Sequence, residues 1–524
     1  MNRRGFLKSS ELIGAGALLT GKQAMAKTAE NPRANRNSAE IKNILFLFVD
    51  QHRQDCVGCY GNPVVQTPNI DRLAKNGIRF NNAYTPSPVC SPARMSVQSG
   101  LWSHKHRLIF NTGASQQHGG MDDPDPGIQF FSELLKEKGW QNAHVGKWHI
   151  GREKNKPAAH GYEDLPYYPN YGIPSYIYQY KRGQRIHEHY LEYLKKQGVD
   201  GFKLLKQTRE DGTLFSALQE GPQSASIPAY LSTQTIDVIN RFTQNTTPFF
   251  ISCNFWGPHA PYCITEKHYN MYKNANIEPW PNFDCDLSDK PQVLKRYGDY
   301  LGTDWFNRQN ISELIGDYYG YISLIDEEIG RILKTLEDAG ELEQTLIIYS
   351  ADHGSSVGSY RMWDKGYGMY DAITRIPMII SHPSITPAVS DAYVTLLDLA
   401  PTFLDAAGCE IPKEMDGASL MPILQGMKKN VREDYIVTEH HGHHCPFWQR
   451  MVRTNSGKYI FNYTATLEFY DLESDPFETK NIIDTVDKRT LKRYEDMLIQ
   501  CMADSKDPLQ NWVTCSLIDD VYPY

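Results

Sequence analysis

Asn43-Ile44-Leu45-Phe46-Leu47-Phe48-Val49 is an unbroken apolar run that ends directly in Asp50-Gln51. Thr345-Leu346-Ile347-Ile348-Tyr349-Ser350-Ala351 repeats the pattern and ends in Asp352-His353-Gly354. Thr247 to Phe255 is a third such run, closed by Trp256-Gly257-Pro258-His259-Ala260-Pro261-Tyr262. Strands with one wet face alternate apolar and polar residues, so runs without alternation predict parallel strands buried on both faces. That places the chain in the α/β class, in which ligands bind beyond the carboxyl ends of the strands. Asp50 and Asp352 would then meet at neighbouring strand ends despite their separation in sequence. Two carboxylates aimed at one point repel unless a cation lies between them. Their hard oxygens suit Ca2+ or Mg2+, with Gln51 able to add a carbonyl oxygen and His353 a ring nitrogen. The mixed oxygen and nitrogen set leaves the metal's identity open.

A chain of 524 residues is long for one core, which predicts a large domain and a smaller one. Its net charge of −8 argues against nucleic acid or an anionic membrane as the main partner. An anionic substrate would have to be drawn by a local basic pocket. The 32 Tyr and 9 Trp suit a sugar-binding cleft, although tyrosine-rich surfaces also occur without one. Ten cysteines show no zinc spacing, since Cys56 and Cys59 form C-V-G-C without a second pair. Near the start, Arg3-Arg4-Gly5-Phe6-Leu7-Lys8 resembles the twin-arginine export motif. A modestly apolar run, Leu12 to Thr20, and the A-x-A-like site Ala24-Met25-Ala26 follow it. That run falls well short of the ~20 residues that span a bilayer, and no other segment is apolar enough, so no integral membrane segment is expected. Residues 1–26 therefore read as a twin-arginine-type signal peptide and 27–40 as a flexible lead-in. The expected location is the periplasm, the cell surface or the medium, with the twin-arginine machinery as an export partner.

Pro88 to His106 carries the densest chemistry. Pro88 and Pro92 bracket Cys90 and force a turn, after which Ala93 to Ser99 suits a short helix stopped by Gly100. A group at a helix start feels the positive end of the macrodipole, which favours an anion beside it, and Arg94 could fold back on that anion. Cys90-Ser91-Pro92-Ala93-Arg94 resembles the C-x-P-x-R signature of sulfatases, in which the Cys is oxidised to formylglycine. Thr67-Pro68-Asn69-Ile70-Asp71-Arg72-Leu73-Ala74 resembles that family's T-P-N-I-D-x-L-A. Gly146-Lys147-Trp148-His149-Ile150-Gly151 is similar to its G-K-W-H-x-G, and Pro258-His259-Ala260-Pro261 to its P-H-x-P. Lys365, after Trp363-Asp364, fits the place of a sulfate-binding lysine. Val394 to Ala407 and Glu468 to Pro476 match further family segments, read here as a helix and as the E-L-Y-D-L-x-x-D-P signature. Departures are Ser99-Gly100 for the usual T-G and Gln51 where Asp is frequent. On these residues the chain resembles a type I, formylglycine-dependent sulfatase of the alkaline-phosphatase-like superfamily.

The resemblance implies a large mixed, mostly parallel sheet sandwiched by helices, with a smaller C-terminal α+β subdomain on an antiparallel sheet. The expected division is a catalytic domain over 41–428 and a subdomain over 429–524. It implies hydrolysis of a sulfate ester, on a sulfated saccharide from a polysaccharide or glycosaminoglycan. Cys90, Arg94, Lys147, His149, His259 and Lys365 would be catalytic. Asp50, Gln51, Asp352, His353 and the modified Cys90 would hold Ca2+, or Mg2+ in its place. Lys147, His259 and Lys365 would bind the sulfate, His259 or Lys365 would protonate the leaving oxygen, and His149 would take a proton from the modified Cys90. A formylglycine-generating or sulfatase-maturating enzyme is an implied partner. The alternatives are a phosphonate monoester or phosphodiester hydrolase of the same superfamily and a non-catalytic sulfated-glycan-binding protein.

Local pattern supplies further expectations. Phe130 to Lys136 reads as a helix closed by Gly139, and Gln141 to Val145 as a strand. Lys147 and His149 would point the same way on extended backbone. Residues 152–232 read as an aromatic insertion walling the cleft, and 263–311 as irregular. Ser312 to Gly340 has apolar residues at helical spacing. Strands are expected at Ile376–Ile380, Tyr435–Glu439, Gln449–Thr454 and Lys458–Asn462, and a helix from Lys488 to about Ala503. His440-His441-Gly442-His443-His444 is expected in a loop, lining the cleft or exposed, with soft-metal binding as a further option.

Overall fold

The computed structural model describes residues 40–113, 121–165, 188–199, 204–207, 215–301, 303–444 and 446–517. The expected signal peptide and, apart from Glu40, the lead-in lie outside them. In chain order the strands are β1 (Asn43–Val49), β2 (Gly77–Tyr84), β3 (Gln141–Gly146), β4 (Leu204–Gln207), β5 (Ser216–Gln219), β6 (Phe249–Phe255), β7 (Tyr262–Ile264), β8 (Thr345–Ala351), β9 (Met378–Ser381), β10 (Ala388–Thr395), β11 (Ile436–Gly442), β12 (Pro446–Arg453), β13 (Gly457–Asn462) and β14 (Glu468–Asp471).

A seven-stranded sheet runs in the order β10-β2-β9-β8-β1-β6-β3. β8, β1, β6 and β3 pair parallel, as do β10 and β2, while β9 is antiparallel to both its neighbours. All strands but β9 therefore point one way. Every residue of β1, β6 and β8 is buried, as runs without alternation require. Successive side chains still choose opposite faces. Phe250 meets Phe131 and Phe403 edge-on on one side of β6, and Phe249 meets Phe242 on the other. Helices Phe131–Glu137 and Leu399–Ala406 cover the first face, and Ile227–Phe242, backed by Arg308–Asp338, the second. This is the expected α/β sandwich. A four-stranded antiparallel sheet, β11-β12-β13-β14, packs against helix Lys488–Ser505 near the C-terminus. β4-β5-β7 form a third, small sheet.

Three expectations need correction. The 152–232 segment is not insertion throughout: it contains helix Glu188–Lys196, β4 and β5, and its last residues begin the core helix Ile227–Phe242. That helix opens on an N-cap, Ser226, whose side chain accepts from the Ala229 amide. The 263–311 segment holds helices Glu266–Tyr272 and Gln292–Leu301. Val394 and Thr395 end β10 instead of starting a helix, and the chain turns there as the Thr395 amide donates to the Asp398 carboxylate. Among the described residues no helix is long and apolar enough to cross a membrane.

Candidate active site

The register of the parallel strands builds the site. Val49 of β1 lies beside Ala351 of β8 and Phe255 of β6, so Asp50, Asp352 and Trp256 start their loops at one level. The Asp352 amide donates to the Val49 carbonyl at 3.2 Å, and the Asp50 amide to the Gly257 carbonyl at 3.2 Å. β3 ends beside β6, which brings Lys147 to the same edge. β2 runs in the same direction, and the turn after it delivers Cys90 to the first position of helix Cys90–Ser99. Gly100 ends that helix at φ 66°, a conformation glycine adopts without strain.

Cys90 is buried, with Sγ 3.2 Å from His353 Nε2 and 3.8 Å from Asp50 Oδ1. His149 also reaches the Cys90 side chain. Arg94 spans both carboxylates: Nη2 donates to Asp50 Oδ2 at 2.9 Å and Nε to Asp352 Oδ2 at 3.0 Å. Its Nη1 donates to the Lys147 carbonyl at 3.1 Å. Arg94 thus holds the two acids in register and does not turn back on position 90. Lys147 Nζ donates to Asp50 Oδ2 and lies 4.2 Å from the centre of the Trp256 ring. Gln51, at φ 64°, donates its amide to Asp352 Oδ1 at 3.0 Å. Its side-chain nitrogen donates to Ser355 Oγ at 3.0 Å, and its oxygen accepts from Lys365 Nζ at 3.4 Å. Lys365 Nζ is also 2.8 Å from His259 Nε2, whose Nδ1 faces the Ala260 carbonyl at 2.5 Å. All the residues singled out as catalytic or metal-binding therefore form one network, buried except for the half-buried His259. The expected route for His149 is different: it sits at φ 58°, so a left-handed turn, not alternation along a strand, brings it to the side Lys147 faces.

The electrostatics favour an anion at position 90. Burial raises the Cys90 thiol, but Lys147, Lys365 and His353 outweigh it and hold it well below the thiol range. Burial raises Asp50 as well, with the Cys90 charge, yet Lys147, His259 and Arg94 hold it below the carboxylate range. Asp352 is pushed up to about 6, by burial and then by the Asp50 charge. One acid is thus ionised at the expense of its neighbour, the signature of a pair that a cation would relieve. Asp50, Cys90, Asp352 and His353 offer ligand atoms that all lie within 4.8 Å of one another, and all four are buried. Two carboxylates at a dry, preassembled point fit a hard divalent metal. Lys365 lies outside this cluster; burial pulls its pKa down, but Asp364, Cys90 and Asp50 hold it above the ordinary lysine range. His149 is drawn down to about 4 by burial and by Lys147, which leaves a neutral ring able to accept a proton.

The histidine run is not a surface loop. His440 and His441 belong to β11 and are buried, His443 is buried, and only His444 is exposed. His443 Nδ1 is 3.4 Å from the hydroxyl of Tyr297, which itself donates to the Lys365 carbonyl at 2.8 Å. Two groups near the chemistry were not singled out from sequence. Trp256 supports Lys147 from below. Asp364 contacts Lys365 Nζ at 3.4 Å and lies within 4.8 Å of ligand atoms of His443 and His444. Both stand inside strings quoted above, but a string does not say which neighbour turns inward.

The family model described as Sulfatase matches residues 42–409, and one described as N-sulphoglucosamine sulphohydrolase, C-terminal, matches 358–504. An N-acetylglucosamine-6-O-sulfatase of Bacteroides thetaiotaomicron is 28% identical over 522 residues, covering 86% of this chain and 84% of that protein. A solved structure in complex with D-glucosamine-2-N,6-O-disulfate superposes with a TM-score of 0.69 at 23% identity, over 89% of this chain and 99% of that one. A phosphonate monoester hydrolase of Agrobacterium radiobacter superposes at 0.73 with 21% identity, over 88% and 96%. At such identities the superpositions speak to fold.

Proposed function

Because the chain belongs to the sulfatase family and is a sulfuric ester hydrolase, we propose that it removes sulfate from a sulfated saccharide through a formylglycine made from Cys90. The observation that carries this reading is the enclosure of position 90 between paired carboxylates and a set of cations. A nucleophile at 90 would meet its activators on one side and a sulfate-sized anion site on the other. Asp50, Asp352, His353 and the carbonyl oxygen of Gln51 would hold Ca2+. When bound, the hydrated aldehyde and the metal supply an easily ionised hydroxyl together with a means of later releasing sulfate. The protein's own groups do the rest. Lys147 and Lys365, both buried, stabilise the charge that builds on sulfate oxygens. The His259–Lys365 pair delivers a proton to the leaving oxygen. His149, neutral and against position 90, accepts a proton there.

The saccharide assignment is supported by the names of the relatives, one an N-acetylglucosamine-6-O-sulfatase. Export through the twin-arginine route to the periplasm is our reading of Arg3-Arg4 and the segment behind them; it would carry a folded enzyme already processed by a formylglycine-generating or sulfatase-maturating enzyme.

The test is the mass of the Cys90 peptide joined to turnover. Conversion makes it about 18 Da lighter. Protein carrying that mass should hydrolyse sulfate esters at higher kcat/KM than phosphonate monoesters or phosphate diesters, and Cys90→Ser should abolish multiple turnover. Preference for phosphonates would reassign the enzyme within the superfamily. Full multiple turnover by Cys90→Ser would reject the mechanism.

A further inference from the structure

The proposed reaction fixes where the alcohol half of the substrate must lie. Attacking and leaving oxygens sit roughly in line across the transferred group. With the attack coming from position 90, the leaving oxygen faces His259 and Lys365, and the rest of the alcohol extends beyond them. What stands beyond Lys365 comes from the C-terminal sheet and from helix Gln292–Leu301. Asp364, 8% exposed, borders Lys365. His443 and His444 follow, their rings 4.0 Å apart. Tyr300 presents 70% of its surface, and its ring lies 5.4 Å from His444 and near-parallel to Tyr297. The His444 amide donates to the Tyr297 neighbour Tyr367, which fixes the turn.

We infer that Asp364, His443, His444 and Tyr300 form the subsite for the ring that bears the sulfate, and that this ring is an uncharged hexose or N-acetylhexosamine. The inference rests on the sulfatase reading above. A carboxylate and two imidazoles in a row accept and donate to adjacent hydroxyls, and an exposed tyrosine face stacks on the apolar face of a pyranose. The long 3.4 Å contact to the Lys365 ammonium and the bond from the Lys365 amide leave other lone pairs of the Asp364 carboxylate for a ligand. That same carboxylate repels a uronate carboxylate placed against it. The nearby ammonium of Lys365 makes the row a poor second metal site.

The experiment uses full-length, aldehyde-bearing enzyme and three probes: mono-O-sulfated hexoses and N-acetylhexosamines, sulfated hexuronates, and nitrophenyl sulfate. The wild type should prefer the uncharged sugars. Tyr300→Ala and His444→Ala, both at exposed positions, should lower the ratio of kcat/KM on the preferred sugar to that on nitrophenyl sulfate by about tenfold, chiefly through KM. An unchanged ratio overturns the inference, and so does a preference for hexuronates. Turnover of nitrophenyl sulfate with none of any saccharide overturns the inference alone. A wild type inactive on every sulfate ester overturns the reading on which it rests.

Discussion

Lys365 Nζ and His259 Nε2 are 2.8 Å apart, and His259 Nδ1 is committed to the Ala260 carbonyl. In that arrangement the ring accepts and the ammonium donates, so the pair carries one mobile proton between two residues. Removing either should then have the effect of removing both. His259→Ala and Lys365→Ala should each lower kcat on alkyl sulfates by about a hundredfold or more, and the double variant should fall little further. The loss should shrink on nitrophenyl sulfate, whose leaving oxygen needs little help. Kinetics on esters of graded leaving-group pKa check this; additive losses, or losses blind to the leaving group, would show that the two act separately. Both residues were legible in the sequence because each stands in a short, distinctive string. Asp364 was not, although it adjoins Lys365, because contact with His443 joins positions 79 residues apart in number and no local pattern encodes it.

At the level of elements, the site depends on how closely β3 and β6 meet. Gly146 ends β3 at φ 95°, and a Cβ there would stand 2.0 Å from the Asn254 carbonyl oxygen. Only glycine lets the chain turn at that point with its backbone against β6, and the next residues are Lys147 to His149. Gly146→Ala should therefore lower kcat/KM by more than its effect on folding accounts for. We expect a loss of about 1–3 kcal/mol in stability, seen as a lowered urea midpoint, and a drop of about tenfold or more in activity where the protein is still folded. Wild-type activity in the folded variant would show that the turn does not set the lysine and histidine. The buried strands were readable because nothing polar interrupts them. Helix Ile227–Phe242 was not, since it buries Ser232 and Thr235 beside its aliphatic residues and so blurs the apolar stripe. Helix Gln292–Leu301 buries only Leu294, Tyr297 and Gly298, too short a stripe to stand out.

Over the whole molecule, the two sheets are joined by buried polar groups as well as apolar ones. Glu439 of β11 accepts from Ser103 Oγ at 2.5 Å, from the His104 amide at 3.1 Å and from His104 Nδ1 at 2.8 Å. Lys458 of β13 donates to Asp371 at 2.6 Å, and Tyr370 donates to Glu468 at 2.8 Å. Such contacts hold His443 and His444 over the site, and they come with a cost in acid. Several buried rings away from the reacting position lie well below the ordinary histidine value near 6.5: burial draws His52 and His440 to about 4, and His106 and His144 to about 3. Each stays neutral in the fold and takes up a proton when the chain unfolds. Their stabilising effect is thus complete above pH 6.5 and is lost as pH falls toward 4 and 3. At roughly 1.4 kcal/mol for each unit, one such ring accounts for roughly 3 kcal/mol at the acid end. Several together rival the whole stability of a typical domain, about 5–15 kcal/mol. Asp371 acts in the same sense, since Lys458 and Arg453 overcome burial and hold it below the carboxylate range, so acid undoes that pair as well. The protein should accordingly lose stability as pH falls below about 6, less steeply than the rings alone would give, because Asp326 and Asp352, held up to about 6, and Glu478, held up to about 7, act in the opposite sense. Denaturant midpoints across pH 4–8 measure it; a midpoint that stays level down to pH 4 would mean that these rings are protonated in place, and that the interior around them admits water.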